Sequence, residues 1–456
     1  MAHYDLLTLR QLYIEKKVSP SEIVEDYLTR IEKHHGFNIY ITVNAEQARR
    51  QAAIATQRYQ HQDPVGPLEG IPVAYKDNLL TQGLRTTSGS AVEKNYVPDH
   101  TAPAVQVMQQ AGAVNLGKLN MHEYAFGITS NNPFYGPVKN PWNPEYTPGG
   151  SSGGCGAALA ADLAVTTLGT DTGGSIRIPA AACGVVGFKT SRHHISAKGT
   201  RPISLSLDHV GPLAKTVSDM AFLLGIYDQS DYLTGLKRDI KGVRIGVPMT
   251  YFQQYVEPEV KAHYEKALKQ LQDLGAILVE VPVPVNQDHI GTLFTLAICE
   301  AAAEHAQRLQ EAESLFGEDV LQALRSVAQF TPMDYIYARQ EQQRLTEQFN
   351  ALFLDVDLLV TPTVGFGMQK IGVDTLTLGG DTHDLFSATT HHCAPFNLTG
   401  HPAISIPYGR VGENLPIGLQ LVGAQLNERL LLQVAYAYES AYLNDFYMQR
   451  KQLALL

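Results

Sequence analysis

Two glycine-rich loops hold the residues best suited to chemistry. The first is residues 148–154 (PGGSSGG) and the second is residues 169–177 (GTDTGGSIR). Glycine lets the backbone approach a ligand closely, and free N–H groups at the start of a helix can face an anion. A serine in such a loop can attack a carbonyl carbon while nearby N–H groups stabilise the oxyanion that forms. The loops therefore indicate acyl transfer to a serine.

The second loop can supply both the nucleophile and the oxyanion donors. Ser175 offers the hydroxyl, and its own N–H group could converge on one oxygen with those of Thr172, Gly173 and Gly174. Histidine is the usual base, but Lys76 ends an apolar segment, residues 70–75, that is predicted to be a buried strand. Burial lowers the pKa of a lysine, and a neutral lysine is a base. From the residues alone, a lysine in a salt bridge remains the alternative.

This arrangement resembles the amidase signature family. Ser151 follows Lys76 by 75 residues and Ser175 follows Ser151 by 24, and both separations fit the family's pattern. The resemblance runs from about residue 68 to residue 213. It includes residues 117–123, 183–189 and 208–213, and it resumes weakly at residues 361–363 and 416–423.

The resemblance implies a role for each residue. Ser175 would be the nucleophile, Ser151 the bridging serine at a cis peptide bond, and Lys76 the base. The implied oxyanion donors are Thr172, Gly173 and Gly174, and the implied supporting residues are Ser152, Asp171 and Arg177. No metal or cofactor is expected. The implied fold is α/β, a large mixed β-sheet flanked on both faces by α-helices, in a single domain over residues 1–456.

Substrate choice is expected to depend on the segments that resemble the family less closely. These are residues 286–346 and 365–395, whereas the catalytic core spans about residues 68–213. The expected pocket residues are Tyr124, Phe126, Gly127, Ile128, Phe134, Arg344, His391 and His392. A small-molecule carboxamide is the expected substrate, and ureide and carbamate hydrolysis remain open.

One departure from the family concerns residues 190–194 (TSRHH), where many relatives have Pro-Thr-Tyr-Gly-Arg. The best-known subgroup is the glutaminase subunit of glutamine-dependent aminoacyl-tRNA amidotransferases, which binds the glutamine amino group with an acidic residue. Residues 388–392 (ATTHH) offer none, although Arg344 falls where that subgroup has a carboxylate-binding arginine. The sequence therefore favours a free-standing hydrolase, and the alternative is the glutaminase subunit. A non-catalytic relative is disfavoured because Lys76, Ser151 and Ser175 are all present.

Three other motifs compete with this interpretation. Residues 149–153 fit G-x-S-x-G, but the proline-containing segment 140–148 before them does not resemble the strand that a nucleophile elbow requires. Residues 112–119 nearly fit a phosphate-binding loop but lack the Ser/Thr that follows the lysine. The histidine pairs at 193–194 and 391–392 do not readily converge on one metal, since adjacent residues of a strand point to opposite faces.

Composition excludes several classes of protein. The net charge of −10 argues against a nucleic-acid partner, and only 18% of the residues are charged. Residues 1–12 lack the pattern of a signal peptide, and no apolar run reaches the ~18 residues of a membrane span. The four cysteines form no C-x-x-C pair, as expected for buried thiols in a reducing compartment. We therefore expect a cytoplasmic enzyme without membrane contact; a homodimer is possible.

The elements that position these residues alternate between strands and helices, which predicts a mostly parallel or mixed sheet. Ser19 to Glu22 is typical of a capping box at the start of a helix. Helices are also predicted over residues 102–110, 155–162, 259–274, 334–352 and 428–442. Strands are predicted over 70–75, 113–116, 165–168, 243–247, 277–281, 403–406 and 418–422. Residues 228–241 are expected to be a surface excursion.

Overall fold

A computed structural model describes residues 3–286 and 288–453. Within them the strands are β1 Tyr40–Val43, β2 Pro72–Lys76, β3 Val114–Leu119, β4 Thr166–Asp171, β5 Val186–Lys189, β6 His209–Ala214, β7 Arg244–Pro248, β8 Ile277–Val281, β9 Leu358–Pro362, β10 Thr375–Leu378, β11 Asp381–Asp384, β12 Ala403–Val411 and β13 Leu415–Gly423. The α-helices are α1 Leu6–Ile14, α2 Pro20–Lys33, α3 Ala45–His61, α4 Pro103–Gln110, α5 Gly153–Ala160, α6 Arg177–Cys183, α7 Val217–Asp228, α8 Pro258–Asp273, α9 Asp288–Ala312, α10 Glu318–Arg325, α11 Pro332–Leu352, α12 Leu385–Thr390, α13 Ala394–Thr399, α14 Glu428–Tyr442 and α15 Asn444–Leu453.

Eleven of these strands form one mixed sheet in the order β1-β3-β2-β4-β6-β5-β12-β13-β9-β7-β8. β2 pairs in parallel with both β3 and β4, and β7 pairs in parallel with β8 and β9. The centre, from β4 through β6, β5, β12 and β13 to β9, is antiparallel. β10 and β11 form a separate two-stranded hairpin. The prediction of a large mixed sheet is confirmed.

Helices cover the central strands. Every residue of β2, β3, β4, β5, β6, β9 and β13 is buried. Strands that are buried along their whole length lie beneath cover on both faces of the sheet, because successive side chains point to opposite sides. The expected flanking of the sheet by α-helices is therefore observed.

Several predicted elements agree with the structure. The side chain of Ser19 accepts from the N–H of Glu22, the Glu22 carboxylate accepts from the N–H of Ser19, and α2 begins at Pro20. α14 has the predicted bounds, and β8 does as well. Residues 229–243 contain no helix or strand, as expected of a surface excursion.

Two differences concern the glycine-rich loops. α5 begins at Gly153, inside the first loop, instead of after it, and a Cβ atom at Gly153 or Gly154 would clash with Ser130 or Asn120. β4 extends to Asp171, so the second loop is shorter than predicted. No helix in the described residues is both long and apolar enough to cross a membrane.

Candidate active site

Lys76 is the last residue of β2, and its side chain is fully buried. Its Nζ lies 2.7 Å from Ser151 Oγ and 2.7 Å from Thr170 Oγ1. Asn78 Nδ2 also donates to Thr170 Oγ1, at 3.2 Å. Burial lowers the pKa of Lys76 to about 8, since a charged amine is poorly solvated there. The lysine is therefore placed to exchange a proton with Ser151 near neutral pH.

Ser151 lies in the loop before α5, and the peptide bond between Gly150 and Ser151 is cis, as the resemblance implied. The Ser130 hydroxyl is within hydrogen-bonding distance of the carbonyls of Gly149 (3.0 Å) and Ser151 (3.2 Å) and accepts from the N–H of Gly153. A Cβ atom at Gly150 would lie 2.8 Å from the backbone of residues 128–130. The loop is thus packed directly against that segment, which only glycine allows.

Ser175 lies two residues before α6 begins, at the end of the second loop. The N–H of Ser152 donates to the Ser175 carbonyl (3.3 Å), and the Ser152 hydroxyl donates to the carbonyl of Thr170 (3.0 Å). Ser152 therefore ties the two glycine loops together. This fixes the loop of Ser151 against the loop of Ser175.

A buried ion pair braces the second loop. Arg177 Nη2 lies 2.8 Å from Asp171 Oδ1 and Arg177 Nε lies 3.0 Å from Asp171 Oδ2, with both side chains fully buried. Arg177 also donates to Gln420 Oε1 on β13 and to the carbonyl of Cys393. Burial opposes ionisation of Asp171, but the charge and hydrogen bonds of Arg177, with the charge of Lys189 and the hydrogen bond from Asn397, together outweigh it and hold the pKa of the carboxyl far below its usual value.

The loop contains fewer free oxyanion donors than predicted. The N–H of Gly174 donates to Asp171 Oδ1 at 2.8 Å, so this N–H group already has an acceptor. In the described part of the chain, the N–H groups of Thr172, Gly173 and Ser175 make no such bond, and all three residues line a cavity that Gly174 does not reach. These three N–H groups are the available donors.

Two residues of the site were not predicted from the sequence. Thr170 is the second partner of Lys76, and Asp208 Oδ1 accepts from the hydroxyl of Thr172 at 2.6 Å. Asp208 also accepts from the N–H groups of Ile203 and Ser204. Burial raises the pKa of Asp208 to about 6. Asp208 is the first residue of a segment that resembles the family, and this resemblance was the only signal for it in the sequence. Its contact with Thr172 joins residues 36 positions apart, so local patterns did not indicate it.

The cavity in front of Ser175 has a volume of about 240 Å³ and is largely apolar. Three segments wall it: the loop around residue 126, α9 with α10, and α12. Its lining residues are Ala125, Phe126, Gly127, Ile128, Thr172, Gly173, Ser175, Ile203, Leu293, Phe294, Ala297, Ile298, Asp319, Ala323, Phe386 and Thr390. A substrate with an apolar group fits this surface, because its burial removes apolar area from water.

Known proteins share both this sequence pattern and this fold. The family model Amidase matches residues 22–432. The chain belongs to the amidase signature family. It is 35% identical over 481 residues to a glutamyl-tRNA(Gln) amidotransferase subunit of Halothermothrix orenii, covering 97% of this chain and 98% of the relative.

Two solved structures extend the comparison. One described as "Crystal structure of amidase" is 33% identical with a TM-score of 0.91, covering 96% of this chain and 100% of that one. A glutamyl-tRNA(Gln) amidotransferase subunit from Thermotoga maritima is 29% identical with a TM-score of 0.78, covering 94% of each chain. The family membership and fold inferred from the sequence are confirmed.

The amidase signature chain does not bring every predicted pocket residue to the cavity. Phe126, Gly127 and Ile128 line it. Arg344 does not; its guanidinium lies at the surface of α11, half exposed, and pairs with Glu341 and Gln348. A helical arginine with a glutamate three residues earlier has a local partner, so it need not face a ligand.

The remaining predicted pocket residues lie outside the cavity lining. His391 and His392 are buried, and their Nε2 atoms lie 2.8 Å and 3.0 Å from the carbonyls of Tyr251 and Phe252. Burial lowers the pKa of both rings, to about 4 and about 3, so they are neutral. Tyr124 packs against the rings of His305 and Phe316, and Phe134 is partly exposed outside the cavity.

The histidine pairs do not build a metal centre. Across residues 3–286 and 288–453, no group of three or more His, Cys, Asp or Glu side chains is arranged to hold a metal ion.

Proposed function

We propose that the chain is a free-standing carboxamide hydrolase that acts through an acyl-enzyme on Ser175 and prefers amides with an apolar substituent. The observation that carries the proposal is the buried contact of 2.7 Å between Lys76 Nζ and Ser151 Oγ, next to the loop that presents Ser175 to an apolar cavity. A buried, neutral amine beside a hydroxyl can act as a general base.

The proposed reaction begins with proton transfer. Neutral Lys76 accepts the proton of Ser151, Ser151 accepts the proton of Ser175, and Ser175 Oγ bonds to the amide carbon. The N–H groups of Thr172, Gly173 and Ser175 stabilise the oxyanion. The tetrahedral intermediate collapses, the C–N bond breaks, and the proton returns through Ser151 to the leaving amine or ammonia. Water then attacks the ester by the same relay and releases the acid and Ser175.

Two observations support an apolar amide over glutamine. The cavity walls from α9, α10 and α12 are mostly aliphatic or aromatic, and Arg344 points to solvent instead of the cavity.

The second candidate is the ammonia-supplying subunit of a glutamine-dependent amidotransferase. The curated relatives support it more directly than they support a free-standing hydrolase, because several that are 35–38% identical are named as glutamyl-tRNA(Gln) amidotransferase subunits. This candidate would require protein partners, whereas the hydrolase requires only its small-molecule substrate. Carbamates and ureides remain further substrates that the same relay could attack.

One set of assays separates these candidates. The purified chain alone is incubated with apolar primary amides, matched carbamates and glutamine, and ammonia release is measured with Ser175→Ala as the blank. We expect turnover of the apolar amides and little of glutamine. Ammonia release from glutamine that appears only when the other subunits of a glutamyl-tRNA(Gln) amidotransferase are added would replace the hydrolase with the second candidate.

A further inference from the structure

The cavity in front of Ser175 contains a single charged side chain among the described residues that line it. Asp319, the second residue of α10, stands among aliphatic and aromatic neighbours such as Ala323 on α10 and Leu293 and Ile298 on α9. A lone carboxylate in a largely apolar cavity favours a cationic group among the molecules that can bind there. The Asp319 carboxylate also contacts solvent, so its charge is partly screened, and a bound cation has to replace water around it.

Asp319 is held in place by contacts that leave it able to accept more hydrogen bonds. His122 Nε2 lies 2.8 Å from Oδ2, and the N–H of Val320 donates to Oδ1 at 2.9 Å. An ionised carboxylate has about four acceptor positions, so these two contacts do not fill it. The side chain is 54% exposed, so its remaining positions are open.

His122 is itself fixed by the loop around residue 126, which also lines the cavity. A Cβ atom at Gly127 would lie 2.2 Å from the His122 ring, so the ring can occupy this place only because residue 127 is glycine. The ring is 8% exposed. Burial opposes ionisation of Asp319, but the hydrogen bond and charge of His122 together with the backbone N–H donors at residues 319 and 320 outweigh it and lower the pKa of the carboxyl. The carboxylate is thus oriented from a rigid support.

We propose that Asp319 binds a protonated amino group at the far end of the substrate, so that the preferred amides carry an apolar middle and a cationic end. This inference rests on the proposed function, since it assigns the substrate class of the same site. The apolar walls bind the hydrocarbon, Asp319 binds the ammonium, and the amide carbonyl then lies against Ser175. Asp319 is a specificity-determining residue and takes no part in the proton relay.

The test compares matched substrates. A series of ω-amino alkanamides is paired with n-alkanamides in which a methyl group replaces the ammonium, so that each pair has the same length. With the wild-type protein, kcat/KM for the amino compound should exceed that of its methyl partner by about two- to fivefold at the best length, as expected for an ion pair that solvent partly screens. Equal values at every length would overturn the inference.

The deciding variant is Asp319→Asn, which keeps the shape and one acceptor for His122 but removes the charge. The ratio of kcat/KM for the amino compound to that for its methyl partner should fall to about one. Only the amino compounds should lose kcat/KM. The matched control is Glu318→Gln, the neighbouring exposed carboxylate that bonds Gln322 and does not line the cavity, and it should keep the preference. A merely structural His122–Asp319 tether would lower both members of each pair equally, and that outcome would also reject the inference.

A binding measurement separates failure of this inference from failure of the proposed function. In Ser175→Ala the amide stays intact, so calorimetry can give the affinity for both members of a pair without turnover. Tighter binding of the amino compound, lost on adding Asp319→Asn, supports the inference even if no alkanamide is hydrolysed. Turnover of n-alkanamides with no amino preference in rate or affinity keeps the proposed function and refutes the role of Asp319.

Discussion

Replacing Lys76 by methionine is the most direct test of the proton relay. Methionine retains most of the buried apolar stem but has no amine, so the fold has little reason to change. A positioned general base contributes ~10²–10⁴-fold, so we expect kcat/KM to fall by that factor, equivalent to roughly 3–5 kcal/mol of transition-state stabilisation. Methionine cannot donate to Thr170 Oγ1, and the loss of that contact is included in this range.

The fall in kcat/KM caused by Lys76→Met depends on pH because only neutral Lys76 can accept a proton. With its pKa at about 8, roughly a tenth of the enzyme carries the neutral amine at pH 7. The wild-type kcat/KM should therefore rise about tenfold per pH unit below pH 8 and level off above it. Activity is lost as pH falls through this pKa, and the loss caused by Lys76→Met is measured on the plateau.

The assay follows release of p-nitroaniline from an anilide with an apolar acyl chain, between pH 6 and pH 10. Lys118 provides a demanding control, because burial lowers its pKa to about 8 as well. Its Nζ bonds the carbonyl of Leu79 and the hydroxyl of Thr81, and Lys118 has no place in the proposed relay. Lys118→Met should lower stability, since buried Asp77 loses its nearby positive charge, but should keep the acid limb.

Two results would refute the reasoning. One is a Lys76→Met protein, folded by circular dichroism, whose plateau kcat/KM stays within about threefold of wild type. The other is an acid limb that persists in Lys76→Met and disappears in Lys118→Met. Either would remove Lys76 as the base.

Three further predictions concern the proposed nucleophile Ser175, the buried ion pair of Arg177 with Asp171, and the surface residue Arg344. Ser175→Ala should abolish turnover and labelling by a fluorophosphonate while leaving Tm unchanged within a degree or two; mass spectrometry that maps the label to another serine would reject the assignment. Arg177→Met should lower the free energy of unfolding by ~3–5 kcal/mol in urea, because buried Asp171 loses its partner; a smaller change than ~1 kcal/mol would contradict the brace. Arg344→Ala should change kcat/KM for an apolar amide by less than about threefold, whereas a larger loss would return this arginine to the substrate site.

Local sequence patterns predicted several elements of the fold. Helix α14 was predicted with its observed bounds because apolar residues recur at helical spacing between Glu428 and Tyr442. The capping box at Ser19 formed because its two hydrogen bonds need only residues three apart. The serine loops were recognisable for the same reason, since their glycines and hydroxyls are contiguous.

Contacts between distant residues could not be predicted in this way. α9, a helix of 25 residues, supplies much of the cavity wall, yet no element was predicted there, and its place follows from the tertiary fold. Asp319 lies 197 residues from His122, and nothing in the sequence near either residue indicates the pair. The N–H of Gly174 was predicted to be a free donor because the pattern does not show that Asp171 folds back onto its own loop.

The proposed relay gives a physical reason for a bridging serine between base and nucleophile. A lysine with a lowered pKa must be shielded from water, and Lys76 is fully buried. A nucleophile must meet the substrate, and Ser175 lines the cavity. One position cannot satisfy both conditions, so in the proposed relay the proton crosses from Ser175 Oγ at the cavity to the buried amine. Ser151, buried and 2.7 Å from Lys76 Nζ, is the residue proposed to carry it, which would keep water away from the base while the cavity exchanges substrate and water.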